Sequence, residues 1–70
     1  MTGYSPAAWS AHQTMLRRLI LKGDFVAAAA LGNEMNVRMA DPNATTSDRH
    51  HYFINGALFV LEILAGRAHG

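Results

Sequence analysis

Residues 52–65 read YFINGALFVLEILA, fourteen positions of which eleven are apolar. Only Asn55, Gly56 and Glu62 interrupt the run; it holds no proline, and its one glycine sits inside. Asn55 and Glu62 are seven apart, so on a helix they share one narrow face. Roughly three quarters of the circumference is then apolar, whereas an ordinary surface helix carries a stripe about 100° wide. Such a helix belongs at the centre of a core, at an interface or in a membrane. The membrane fits worst, because a span needs about 20 apolar residues and tolerates a carboxylate such as Glu62 badly.

Upstream of this stretch, Ala44 to Ser47 is a polar connector, with Thr46 or Ser47 placed to cap a helix over 47–65 that Gly66 closes. Asp48 falls in its first turn, where the helix dipole favours an anion. Asp41-Pro42-Asn43 ends a preceding helix, since the residue before a proline avoids helical backbone. That helix, 25–40, begins after Gly23-Asp24 and holds Ala27 to Ala30, the best of helix formers. Its Ala and Gly positions admit a close neighbour, with Phe53, Leu58, Phe59 and Leu61 as the bulky groups to fill the gap. Gly56-Ala57 is expected to receive Phe25 or Leu31 in return. A first helix, 6–22, starts at Ser5-Pro6, where serine caps the free amides and proline fits the first turn. Trp9, His12, Leu16, Leu19 and Ile20 recur along it at three- and four-residue steps. Met1 to Tyr4 reads as a loose lead-in. One continuous helix from 6 to 39 is the alternative; Gly23-Asp24 favours a break.

Around this turn, Lys22-Gly23-Asp24-Phe25 followed by Ala28 resembles the middle of a tetratricopeptide repeat, over roughly residues 9–42. The resemblance implies an antiparallel helical hairpin. Leu16 stands where that family has a small residue, Pro42 comes about two residues late for its closing proline, and a single unit is present. The second half, with Arg49, Tyr52, Gly56-Ala57 and Leu61, is similar in style to small helical-hairpin proteins of phage genomes. Together the readings give an all-α fold, one small domain over 1–70: three helices, a hairpin backed by a C-terminal packing helix.

Size and composition bound the function. A chain of 70 residues buries only about 60% of its unfolded surface and usually needs a disulfide, a metal or a partner. With no cysteine there is no disulfide and no thiolate site. Charged residues make up 16%, against about 25% in typical domains, as expected where protein covers part of the surface. The net charge of +1 is not the footprint of a nucleic-acid binder. Arg17, Arg18, Lys22 and Arg49 are expected on solvated faces, and the helix opening DFVAAAALG offers no polar side chain to read a base edge.

No catalytic or metal chemistry assembles from the spacing. His50 and His51 are adjacent and diverge by about 100° on a helix, so they cannot face one ion together. Asp48 and His51 share a face, but two ligands do not make a site. Ser10, Ser47 and the threonines have no motif that would activate them. The expectation is a non-enzymatic chain without cofactor or metal. It is read as cytoplasmic, or as virion material if it is a phage structural part, with no membrane and no nucleic acid as partner. The expected partner is protein, either another chain or a second copy. The residues expected to form that interface are Trp9, Leu16, Tyr52, Phe53, Phe59, Val60 and Ile63. Asn55 and Glu62 are expected on the wet face, or paired with Arg17 or Arg18. The function that follows is a non-catalytic interaction module, an assembly component of a larger complex. The alternative is a small inhibitor that masks a host protein, ahead of a DNA-binding regulator.

Overall fold

The structure, a computed structural model, describes residues 3–69, with side chains as far as Arg67. Three helices account for the fold: α1 (Pro6–Lys22), α2 (Phe25–Met39) and α3 (Asp48–His69). There is no strand among the described residues. Local chemistry sets most of the helix ends. The Ser5 hydroxyl accepts from the Ala8 N–H, and Pro6 takes the first helical position. At the other end of α1, Gly23 adopts φ 80°, the left-handed conformation that a Cβ would oppose. The Gly23 N–H donates to the Ile20 carbonyl at 3.0 Å and the Asp24 N–H to Leu19 at 2.9 Å. These two bonds satisfy carbonyls that the helix leaves open, in the Schellman arrangement. Asp24 then caps α2 by accepting from the Ala27 N–H. Two residues thus stop one helix and start the next, and the continuous alternative is excluded.

The chain runs up, down and up. The Tyr4 carbonyl, just ahead of α1, accepts from the Thr45 N–H beyond the end of α2 at 2.8 Å. With the Gly23 turn at one end and this bond at the other, α1 and α2 lie antiparallel. Midway along α2, a Cβ built on Gly32 would lie 2.8 Å from Leu58 Cδ2, so α3 presses its leucine into the space that glycine leaves. The core gathers on this α2–α3 seam: Ala28, Ala29, Met35 and Met39 from α2 meet Ile54, Leu58 and Leu61 from α3, with Leu16 and Tyr4 added from the N-terminal side. The small-residue face of α2 therefore receives Leu58 and Leu61, as expected, but not Phe53 or Phe59, which are exposed.

Three sequence expectations are corrected. Tyr4 is not in a loose lead-in: it is buried in the core, its hydroxyl shares a 2.7 Å hydrogen bond with His12 Nδ1, and the rings stack. Gly3 fits beneath the Asn43 carbonyl, where any Cβ would collide. The long-range backbone bond to Thr45 holds this segment down, a tertiary effect with no local signature. Next, α3 does not close at Gly66 but continues to His69, passing a glycine whose surroundings are open. Last, Gly56 receives neither Phe25 nor Leu31, because it points away from the core into open space.

Candidate protein interface

At about 100° per residue, the buried positions of α3 (Ile54, Leu58, Leu61 and the half-buried Ala65) fall on one side. The opposite side carries Tyr52, Gly56, Phe59 and Ile63. Tyr52 is 74% exposed and Phe59 70%, and Phe53, Val60 and Ile63 are each about half exposed. The helix therefore has two apolar faces, and the molecule covers one of them. Asn55 and Glu62 lie together on one flank, both exposed. Phe53 and Val60 make up the other.

The apolar flank continues onto α1. Between α1 and α3 lies an open groove of about 270 Å³, lined by Gln13, Leu16, Arg17, Ile20, Phe53 and Ala57. Leu21, which also lines it, is 80% exposed. The groove exists because α2 contacts both other helices while α1 and α3 scarcely touch. Trp9, outside the groove, reaches α3 from the start of α1. The indole meets the His50 ring edge-on with centroids 4.4 Å apart, and Phe53 at 5.8 Å. Its Nε1–H is buried with no hydrogen-bond partner among the described residues.

His50 is held from the other side by the start of α3. The Ser47 backbone N–H donates to His50 Nδ1 at 3.0 Å, which makes that nitrogen an acceptor, and the Ser47 hydroxyl 2.9 Å away donates to it too. The His50 N–H goes to the Ser47 carbonyl and not to its hydroxyl. This is one half of a capping box, with histidine in the place usually taken by glutamate to receive the Ser47 amide. The helix start thereby fixes the ring against which Trp9 rests.

Of the seven residues expected at an interface, Tyr52, Phe53, Phe59, Val60 and Ile63 share the outer surface of α3, and Trp9 is half-buried at its edge. Leu16 is different. At 3% exposure it belongs to the chain's own core and contributes only its edge to the groove floor. The sequence reading passed over Gly56, which lies in the middle of the exposed face, and Ile20 and Leu21, which extend it onto α1. The spacing of Tyr52, Gly56, Phe59 and Ile63 by four, three and four held the signal for the first.

Polar chemistry on this surface is sparse. Glu62 makes no ion pair with Arg17 or Arg18 among the described residues, because Phe53 and Ala57 are the residues of α3 that face α1 and Glu62 lies on the far flank. The ion pair present, Glu34 with Arg38, is exposed, 3.9 Å long and worth little. No three metal-ligating side chains come together among the described residues, and no described helix is long and apolar enough to cross a membrane. Comparison with known proteins, by family model, by curated sequence and by solved structure, gives no match.

Proposed function

We propose that this chain is a non-catalytic protein–protein interaction module, acting as a structural or assembly component of a larger complex. One observation carries the reading: Tyr52, Phe53, Phe59, Val60 and Ile63 form a continuous apolar surface on a helix whose opposite face already supplies the core. Scattered exposed apolar residues are ordinary, but a contiguous patch with polar residues along its edge marks an association site. Aromatic side chains are also the type enriched at interfaces. The proposed partner is protein. A phage particle or its accessory machinery is one setting that suits a small helical part of this kind.

The groove between α1 and α3 supports a second reading, that of a small inhibitor or regulator. Ile20, Leu21 and Phe53 offer an apolar trough with Arg17 beside it, suited to an apolar segment of another protein that carries an acidic group. Co-purification of the tagged chain from its native host, with Phe59→Asp and Leu21→Asp as controls, tests both readings. Loss of a stoichiometric partner on Phe59→Asp supports the assembly reading, and loss on Leu21→Asp alone supports the second. Equal recovery of every co-purifying protein with both folded variants would overturn the proposal.

A further inference from the structure

Tyr52, Gly56, Phe59 and Ile63 follow one another at steps of four, three and four along the outer face of α3. This is the spacing of a two-helix seam, in which the apolar line stays toward a partner helix. The seam alternates in size: a large ring, a bare backbone, a large ring, a branched aliphatic. No neighbouring atom comes within 4 Å of a Cβ built at Gly56, so a socket one residue wide stands open on the surface.

The order of sizes selects the occupant. Reversing a second copy of the helix about a twofold axis level with residues 57 and 58 puts Gly56 opposite Phe59 of the partner subunit. The same operation puts Tyr52 opposite Ile63 of the partner subunit. Each large group then meets a small or medium one, and every contact occurs twice. The flanks match under the same operation. Phe53 falls beside Val60 of the partner subunit on the apolar flank. On the polar flank Asn55, an amide donor, falls beside Glu62 of the partner subunit, a carboxylate acceptor. A parallel pair matches in neither respect: it sets Gly56 on Gly56, leaving a void, and Phe59 on Phe59, where two rings compete for one space. A chain this small and this poor in charge also has the composition of one stabilised by association.

We infer that α3 pairs antiparallel with α3 of a second copy, Phe59 of each filling the Gly56 socket of the other. The inference rests on the interaction-module reading and names its partner. In such a dimer the α1–α3 groove stays open beside the Phe53 flank, so a pair of chains presents two grooves related by the twofold axis.

The experiment combines a mass measurement with an orientation measurement. Gly56→Leu places a side chain where the lone chain has free space and replaces a poor helix former with a good one, so the helix folds at least as well. The socket is nevertheless filled. Light scattering is expected to give twice the 7.6 kDa chain mass for the unaltered protein and the single-chain mass for Gly56→Leu. The dissociation constant should rise by about tenfold or more. Because the chain has no cysteine, introduced thiols report cleanly. When Tyr52→Cys and Ile63→Cys chains are mixed and mildly oxidised, the mixed disulfide is expected to dominate. In the antiparallel pair two Tyr52→Cys thiols lie eleven residues apart along the axis, about 16 Å, too far to bond. Homotypic Tyr52→Cys disulfides as the main product would overturn the antiparallel arrangement, and an undiminished dimer in Gly56→Leu would overturn the socket. A single-chain mass for the unaltered protein up to its solubility limit would overturn self-pairing altogether. If Phe59→Asp then still abolishes a co-purifying partner, the interaction reading survives without the dimer. If it changes no association at all, both fail.

Discussion

At the scale of single residues, three glycines of one chain are put to opposite uses. Gly23 sits at φ 80° with nothing near it, so Gly23→Ala adds left-handed backbone strain and no contact. It should cost about 1 kcal/mol or more in urea unfolding. Gly32 lies under Leu58 in the α2–α3 seam, and its replacement by alanine forces a buried leucine to move. The propensity gain of about 1 kcal/mol is offset by overpacking of about 1–3 kcal/mol, so the midpoint should fall. Gly56→Ala meets neither obstacle in the lone chain and should stabilise it by up to about 1 kcal/mol at concentrations too low for association. The sequence marks Gly23, with Asp24 after it, as a stop, whereas Gly32 and Gly56 both read as small residues inside a helix that admit a close neighbour. What separates those two is which neighbour stands opposite, and that is tertiary information.

Tyr4 gives a second residue-scale prediction. Burial raises its hydroxyl pKa above the ordinary value of 10.0, the nearby Arg38 pulls against that rise, and Glu34 adds to it. A folded-state value above the unfolded one means that the neutral phenol stabilises the fold. That contribution is complete below pH 10 and is lost as the pH climbs through the raised value. Stability should therefore decline in the alkaline range, and Tyr4→Phe should flatten the decline while losing the His12 hydrogen bond at neutral pH. Urea midpoints measured on both sides of pH 10 for the two proteins would check this. A decline that is identical in Tyr4→Phe would assign it to other groups.

At the scale of helices, ends written in local chemistry were legible in advance. Ser5-Pro6 starts α1, and Gly23-Asp24 stops it and starts α2, because a hydroxyl, a ring and a missing Cβ act within a few residues. The start of α3 at Ser47 was legible too, but the histidine that completes its cap was not, since the usual partner there is glutamate. His50→Ala should destabilise by about 1 kcal/mol through the lost cap, and His50→Glu should recover more than half of that. Thermal melts of the two variants measure it; equal loss in both would mean that the ring contact with Trp9, rather than the cap, is what His50 supplies. The far end of α3 was not legible. Gly66 carries the mark of a stop, yet with open space around it nothing competes with continued helix. The packing of Tyr4 against the α2–α3 connection was invisible for a related reason, as it depends on residues about forty positions away.

For the whole molecule, the reading of residues 52–65 was right that one packed face would leave apolar surface over. It named Tyr52, Phe53, Phe59, Val60 and Ile63 for the outside, where all five are exposed, but it also offered Phe53 and Phe59 to the small face of α2. A 3.6-residue period fixes relative directions around a helix but not which direction meets the core. Ile54, Leu58 and Leu61 won that position because they alone oppose the small face of α2, and Leu16 was drawn inside with them. Tyr52, Phe59 and Ile63 were left opposite. The molecule is elongated, 39 × 19 × 18 Å, and α3 at about 33 Å is longer than the α2 helix beneath it. A long helix lying on a shorter pair has its free face open along its whole length.

The central claim is that the outer face of α3 serves association and not folding, and one substitution tests it most directly. Phe59→Asp puts a charge at the middle of that face, and helical circular dichroism recorded alongside sedimentation equilibrium reads fold and assembly together. The predicted result is an unchanged helical spectrum and thermal midpoint, with a mass reduced to the 7.6 kDa of one chain. An unfolded Phe59→Asp chain would contradict the claim by making that ring part of the core. So would a folded variant that keeps the mass of a self-associated unaltered protein.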